Sequence, residues 1–406
     1  MKKQFLIKIA LLLGVIVVVF SGCDTLFTSA PEAGESFDQP LEGLTPDQQF
    51  AFARGDEAFD RRFSFREGLG PLFNQPACES CHPSDGKSHP LTNLVRFGLN
   101  GASFDPLLAF GGPQLQERSI PGVPPEVIPS QANAISVRSG PVVFGLGLIE
   151  NIPDSVILAN ADPNDVNGDG ISGKPNYVTP PSWLTIIPGP YGGAYLGRFG
   201  RKAGVAFLVQ QVATAYLQDM GITSEFLPQE NPHPQAGILG DDVPDPEVSA
   251  ATVNDVVAYL RTLAPTRRGA ITPQVEQGEQ IFLQIGCANC HVPTLRTAPH
   301  PTIAALNSVE VPLYSDMLVH DMGNGLADNF VEGDANGREW RTTPLWGLRL
   351  LGQQLGGTPF YLHDGRTSDL RSAITLHGGE AQGARDQFLA LPASDLEALI
   401  EFLLSL

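Results

Sequence analysis

The stretches Cys78–His82 (CESCH) and Cys287–His291 (CANCH) decide how the 406-residue chain is interpreted. Both follow the pattern C-x-x-C-H. Residues three and four apart fall on one face of a helical turn, so two thiols and one imidazole can face the same bound group. This spacing is typical of c-type haem attachment, in which the thiols form thioethers and the histidine binds the iron. We therefore predict two covalent haems, attached and ligated by Cys78, Cys81 and His82, and by Cys287, Cys290 and His291.

Four cysteines could instead form two disulfides or one structural zinc site. A C-x-x-C pair followed by histidine is a redox or haem pattern rather than a structural disulfide. A zinc ribbon needs its two cysteine pairs far closer in sequence than residues 78 and 287. Haem attachment is therefore the interpretation that both copies favour.

The fifth cysteine follows an N-terminal targeting segment. Three lysines within the first eight residues precede the apolar run Ile9–Phe20, which is too short for a comfortable bilayer span. The run ends at Ser21-Gly22-Cys23, which resembles a bacterial lipoprotein signal. We predict a signal peptide over residues 1–22, a lipid on Cys23 and a tether over 23–45, with an uncleaved anchor as the alternative. The protein is then exported and lipid-anchored to a membrane, facing the periplasm or the cell exterior.

Composition limits the remaining function classes. The formal charge of −19 argues against nucleic acid as a partner. The 43 glycines and 35 prolines predict many loops and turns between short elements.

Helix signals flank each haem motif. Thr45 and Thr272 each precede a proline that suits the first position of a helix, and Ser394 to Glu397 fits a capping box before an apolar stripe at helical spacing. We predict a mainly α fold with two cytochrome c-like haem domains, over residues 46–268 and 269–406. The first domain carries a long loop-rich insertion, at about residues 95–245.

Seven short segments carry a more specific resemblance. They lie at 68–74 (GLGPLFN), 145–150 (GLGLIE), 197–200 (GRFG), 320–323 (HDMG), 340–347 (WRTTPLWG), 362–366 (LHDGR) and 377–381 (HGGEA). Together they resemble the di-haem oxidoreductase family, often labelled thiol oxidoreductases, which is distantly related to the di-haem bacterial cytochrome c peroxidases and to MauG. The resemblance runs from about residue 46 to the end of the chain.

The resemblance implies ligands for the C-terminal haem. In the peroxidase relatives, an HDG segment precedes a helix that bears the sixth ligand. Here the HDG at residues 363–365 precedes His377, which is our candidate for that ligand, with His320 and Met322 as runners-up. We interpret His363 as structural and expect Arg341 and Arg366 to bind haem propionates through charged hydrogen bonds.

The N-terminal haem has a less obvious partner. The relatives carry a distal histidine after their first motif, and this sequence offers only His89, between Gly86 and Pro90. The haem could therefore keep an open site, with Gln114, Gln116 and Glu117 as weak candidates for acid–base catalysis. Ordinary polar surface residues are the simpler interpretation of these three.

Residues 165–171 (DVNGDGI) resemble the first half of a calcium-binding loop. Asp165, Asn167 and Asp169 place oxygen ligands at alternate positions, but Asn176 stands where a calcium loop has its final glutamate. A calcium site and a bare turn both stay open.

Two function classes remain. One is a peroxidase-like haem enzyme in which electrons enter at the C-terminal haem from a small redox protein or another donor, and a small oxidant such as hydrogen peroxide reacts at the N-terminal haem. The other is a non-catalytic electron-transfer cytochrome with both irons six-coordinate. Thiol oxidation has no support, because no cysteine remains beyond the haem pairs and Cys23.

Overall fold

The computed structural model describes residues 32–184 and 189–406. The predicted signal peptide, Cys23 and the first part of the tether lie outside the described residues. Within these ranges, no helix is long and apolar enough to cross a bilayer.

The described helices are mostly short. They are α1 (Pro46–Asp60), α2 (Leu146–Glu150), α3 (Asp154–Leu158), α4 (Leu208–Met220), α5 (Ala250–Thr262), α6 (Pro273–Gln284), α7 (Leu348–Gln354), α8 (Leu370–Thr375), α9 (Gln382–Leu389) and α10 (Ala393–Leu403). The strands are β1 (Leu72–Phe73), β2 (Leu94–Asn100), β3 (Phe104–Asp105), β4 (Arg118–Ser119), β5 (Ala134–Arg138), β6 (Tyr177–Val178), β7 (Tyr195–Leu196), β8 (Leu295–Arg296), β9 (Glu310–Val311), β10 (Val319–Asp321) and β11 (Glu339–Arg341).

Helix α1 lies upstream of the first haem motif, separated from it by a short 3₁₀ turn and β1, and packs on α5. Thr45 and Gln48 form a reciprocal capping box at its start, as the sequence predicts. Gly55 is buried where the two helices cross, and a Cβ there would lie 2.2 Å from the carbonyl oxygen of Asp255. A larger residue would push the two helices apart.

The second haem motif has the same arrangement. Helix α6, capped by Thr272, packs on α10, and a Cβ on Gly278 would lie 1.9 Å from the carbonyl oxygen of Ala398. The predicted capping box at Ser394 is wrong, because the helical hydrogen bonds already start at the carbonyl of Pro392. Each motif thus follows a helix that crosses a later one at a glycine.

The mainly α prediction holds only in part. Helices make up 31% of the structure. The predicted insertion contains the three-stranded antiparallel sheet β3-β2-β5, and the other sheets are two-stranded. Frequent glycines and prolines keep most of the elements short.

The largest apolar core extends past the predicted domain boundary. It joins α4 and α5 to Leu306, Leu313 and Trp346, all beyond residue 268. A second core lies between α6 and α10 around Phe282 and Phe402. The boundary at 268 stays a prediction.

Candidate haem site

Both haem motifs open onto one cavity of about 620 Å³. Its walls include Cys78, Cys81 and His82 from the first motif, and Cys287, Cys290 and His291 from the second. The prediction that each motif gathers its thiols and imidazole around one space agrees with this geometry.

Tight turns bring each trio together. The amides of His82 and His291 donate to the carbonyls of Cys78 and Cys287, at 3.0 Å in both motifs. The four cysteines of the described chain form no disulfide. Burial raises the pKa of Cys78, Cys81 and Cys287 to about 12, so these thiols are protonated at neutral pH.

Each motif histidine is oriented for iron. Nδ1 of His82 lies 3.3 Å from the carbonyl oxygen of Gly86, and Nδ1 of His291 lies 2.9 Å from that of Tyr314. Nδ1 therefore carries the proton and Nε2 is the nitrogen that can bind a metal. Burial lowers the pKa of both rings to about 4, which keeps them neutral, the form that ligates iron.

Buried cations line the cavity between the two motifs. Arg201 donates to Ser139 and Arg341 to the carbonyl of Gly200, while Lys87 donates to two backbone carbonyls. Within the described chain, none of these cations has a carboxylate at ion-pair distance. Burial and mutual repulsion lower the pKa of Arg201 to about 9.

Buried cations without anions are costly. Two haems would bring four propionate carboxylates to this space, so the cations fit the predicted group. The sequence pattern indicates Arg341 but assigns no role to Lys87 or Arg201. The segment GRFGRK at residues 197–202 was a usable signal, because it places three cations beside a family motif.

Arg366, the other predicted propionate partner, has a different setting. It pairs with Asp364 at 2.7 Å, is one-third exposed and is not among the residues lining the cavity. Its neighbour His363 stacks on Trp340, with ring centroids 3.7 Å apart, and both rings line the cavity. The structural interpretation of His363 agrees with this packing, whereas the geometry does not support Arg366 as a propionate partner.

The predicted sixth ligand, His377, lies just after α8 and lines the cavity. Its Nδ1 lies 2.9 Å from the carbonyl oxygen of Ala373, so Nε2 is again the nitrogen available to a metal. Burial is the main cause of the low pKa of His291, His377 adds to it, and both imidazoles line the cavity. The ligand role of His377 stays a prediction that this geometry allows.

The runner-up His320 is already occupied. Its Nε2 contacts Asp316 and its Nδ1 contacts Glu380, both at 2.8 Å, and Nδ1 lies 3.6 Å from Sγ of Cys290. Burial opposes its protonation, but these partners raise the pKa of His320 well above its ordinary value. A protonated ring with both nitrogens engaged is a poor iron ligand. The other runner-up, Met322, lines the cavity.

The first haem motif has different surroundings. His89 caps a short 3₁₀ turn, accepting from the amide of Leu91 at 3.1 Å, and is not among the residues lining the cavity. Asp219 and Met220, at the end of α4, do line it. Burial raises the pKa of Asp219 to about 6. Burial also raises the pKa of Cys78, and the negative charge of Asp219 adds to that rise. No sequence motif points to Asp219 or Met220.

Two of the three candidates for acid–base catalysis contact the C-terminal end of α4. Gln114 donates to Asp219 at 2.5 Å, Gln116 donates to the carbonyl of Gln218 at 3.0 Å, and Glu117 is exposed. None of the three is among the residues lining the cavity. Their catalytic role stays a prediction, and the geometry favours a structural role for both glutamines.

The predicted calcium loop is exposed and closed by its own hydrogen bonds. Asp165 accepts from the amide of Gly170 at 3.1 Å, and Asn167 accepts from that of Asp169 at 2.9 Å. Asp162 adds two such bonds at the start of the loop. These bonds are what a bare turn needs, so calcium binding stays a prediction.

An ion network lies against Trp340, which lines the cavity. Glu332 accepts from Arg138 at 2.5 Å and from Arg96 at 3.1 Å, which ties β2 and β5 to the region after the second motif. Lys202 lies over the ring of Trp340, with Nζ 4.3 Å from its centroid. The insertion therefore helps to hold the wall that carries Trp340.

We expect Glu332→Gln to destabilise the protein by about 3 kcal/mol, because it removes the nearest anion of two largely buried guanidinium groups, Arg96 and Arg138. Burial would raise the pKa of Glu332, but Arg138 and Arg96 lower it from 4.5 to about 2. The stabilisation is therefore present above pH 4.5 and is lost as the pH falls through 2. Thermal unfolding of both proteins between pH 7 and pH 2 should show a gap that closes in acid. A gap independent of pH would contradict the assignment.

The solved structures that are similar to this chain include the following two. Hydrazine synthase from Kuenenia stuttgartiensis, pressurised with 20 bar xenon, aligns over 94% of this chain and 97% of its own, with 15% identity and a TM-score of 0.41. A MauG-like protein associated with microbial copper homeostasis aligns over 94% of each chain, with 13% identity and a TM-score of 0.37. No curated protein sequence matches the chain.

The sequence model of one protein family matches residues 130–406. That family is described as "Di-haem oxidoreductase, putative peroxidase". The match covers more than half of the chain, includes the second haem motif and begins after the first. On this match, and with two haem motifs facing one cavity, the chain belongs to the di-haem oxidoreductase family.

Proposed function

We propose that this protein is an exported di-haem c-type cytochrome with peroxidase-like activity. Electrons enter at the second motif, Cys287–His291, and the oxidant reacts at the first motif, Cys78–His82. The family match supports a haem-dependent oxidoreductase in general. We assign electron entry and oxidant reaction to different motifs because the side chains around the two motifs differ.

The observation that carries the proposal is the asymmetry of the shared cavity. Beside His291, the imidazole of His377 presents Nε2 to the cavity. An iron bound by two imidazoles is suited to electron transfer. Beside the first motif, the candidate distal histidine His89 serves as a cap instead. We therefore assign the oxidant to this motif.

When bound, haem supplies reversible iron redox chemistry and, where one coordination position is open, reactivity with peroxide. The protein orients His82 and His291 through their Nδ1 bonds, and Arg201 and Arg341 would neutralise the propionates of bound haem. Asp219 has a pKa of about 6, so it can hold or release a proton near the first motif at neutral pH. Gln114 orients that carboxylate from behind.

A non-catalytic electron-transfer cytochrome is the second candidate, and Met220 favours it. This side chain is 2% exposed and lines the cavity at the end of α4. A methionine thioether is a common axial ligand of electron-transfer haems. If Met220 bound the first iron, no position would remain for an oxidant.

Export and lipid attachment belong to the same proposal. Haem attachment through C-x-x-C-H is completed outside the cytoplasm, and the segment ending at Cys23 resembles a lipoprotein signal. Membrane fractionation of the wild type and of Cys23→Ser tests the anchor. We expect the wild type to remain with membranes and the variant to be released. Release of both proteins would contradict lipid attachment.

We expect the purified haem-loaded protein to consume hydrogen peroxide with a reduced small redox protein as donor, because the first motif leaves an iron position open. Stopped-flow absorbance of the donor gives the rate. Met220→Leu is the matched control, since it preserves volume and removes the thioether. Turnover in both proteins supports the enzyme. A wild type that consumes no peroxide, with a Met220→Leu variant that becomes high-spin, would establish the electron-transfer alternative.

A further inference from the structure

Glu380 joins two distant parts of the chain next to His377. Its Oε1 accepts from Oγ of Ser172 at 2.6 Å and from the amide of Asp321 at 3.2 Å. Its Oε2 accepts from the amide of Ser172 at 3.0 Å and faces Nδ1 of His320 at 2.8 Å. The carboxylate is thus fully engaged, and its side chain is 12% exposed.

These partners come from separate regions. Ser172 follows the 165–171 loop in the insertion, more than two hundred residues before Glu380. His320 and Asp321 belong to β10, and His320 also touches the thiol of Cys290 in the second motif. Glu380 itself lies three residues after His377.

The backbone between His377 and Glu380 is fitted closely to β10. Gly379 has a positive φ of 55°, and a Cβ there would lie 2.1 Å from the carbonyl oxygen of Asp321. A Cβ on Gly323 would lie 2.9 Å from the amide nitrogen of Gly379. From the other side, Arg385 donates to the carbonyl of His377 at 3.1 Å. These contacts therefore fix the position of this short turn.

We propose that the contact of Glu380 with Ser172 and His320 is a latch that holds His377 at the second haem. The inference rests on the proposed role of His377 as sixth ligand. Glu380, Ser172 and His320 act as positioning residues, because their contacts run to His377 through the backbone of the turn. The loop from the insertion thereby controls whether the second iron position is filled.

The latch depends on hydrogen bonds that a glutamine cannot reproduce. All four partners of Glu380 point N–H or O–H groups at it, so the amide NH₂ of a glutamine would face donors. Loss of one charge-assisted bond corresponds to about a tenfold change in an equilibrium. We expect the ratio of open to closed second haem to rise about tenfold in Glu380→Gln and by a smaller factor in Ser172→Ala.

The test compares spin states of the oxidised holoprotein by absorbance and electron paramagnetic resonance, with and without added imidazole. Glu380→Gln and Ser172→Ala should gain high-spin haem, and imidazole should restore the low-spin form by filling the vacated position. Ser172→Thr keeps the hydroxyl and should behave as wild type. Glu397→Gln is the matched control, because it removes a surface ion pair between α10 and Arg371 on α8. It should change nothing.

His377→Ala provides the reference for a fully open site. If it becomes high-spin while Glu380→Gln and Ser172→Ala stay low-spin, the latch is refuted and the ligand assignment stands. If His377→Ala stays low-spin, the ligand assignment fails and the inference fails with it. A spin change in Glu397→Gln of the same size would show general loosening and overturn the latch. If Glu380→Gln does not fold, the comparison of Ser172→Ala with Ser172→Thr tests the latch.

Discussion

A variant with alanine at Cys78, Cys81, Cys287 and Cys290 will carry no haem that survives a denaturing gel. Thioether bonds resist denaturation, so haem staining of such a gel reports covalent attachment alone. Each C-x-x-C pair supplies the two thiols for one haem. We therefore expect the stain to fall by half when either pair is replaced and to vanish when both are.

The matched pairs make this test quantitative. Cys78→Ala with Cys81→Ala leaves the second motif intact, and Cys287→Ala with Cys290→Ala leaves the first. Immunoblotting of the same gel corrects for the amount of protein. Buried, protonated thiols of both motifs line the cavity. We therefore expect both cysteine pairs to attach haem. Stain that persists in the fourfold variant would refute covalent attachment.

His377→Ala will convert one of the two haems from low-spin to high-spin. The variant removes the imidazole whose Nε2 faces the cavity beside His291, and it leaves α8 and the ring of His291 in place. Iron that loses a strong sixth ligand becomes high-spin, and the iron is also expected to bind added imidazole. Absorbance and electron paramagnetic resonance of the oxidised protein measure the change.

Met322 and His89 provide the controls for that result. Met322→Leu removes the remaining runner-up ligand on the cavity wall, and His89→Ala removes the histidine that caps a turn. Neither should alter the spin of the second haem. If His377→Ala leaves the spectrum unchanged and Met322→Leu alters it, Met322 is the ligand.

Local sequence predicted the parts of this site that depend on neighbouring residues. The haem motifs, the caps at Thr45 and Thr272 and their helices each need only a few adjacent residues, and the structure shows them there. The predicted cap at Ser394 also depended only on adjacent residues, and it was wrong. The N-cap of this helix is Pro392, two residues earlier.

The cation set could not be predicted in the same way. Lys87, Arg201 and Arg341 are far apart in sequence and meet only after folding. Arg341 and Arg366 looked alike in the sequence, yet one is buried in the cavity wall and the other pairs with the adjacent Asp364. Ion pairing and burial are tertiary properties, so a residue's type and its motif alone did not separate them.

The most direct test of the account is electron paramagnetic resonance of the oxidised wild-type holoprotein, with spins counted per chain before and after one equivalent of hydrogen peroxide. The account predicts one low-spin haem, at the second motif, and one high-spin haem, at the first, with the high-spin signal lost on peroxide addition. Two low-spin haems that peroxide leaves unchanged would contradict the proposed enzyme.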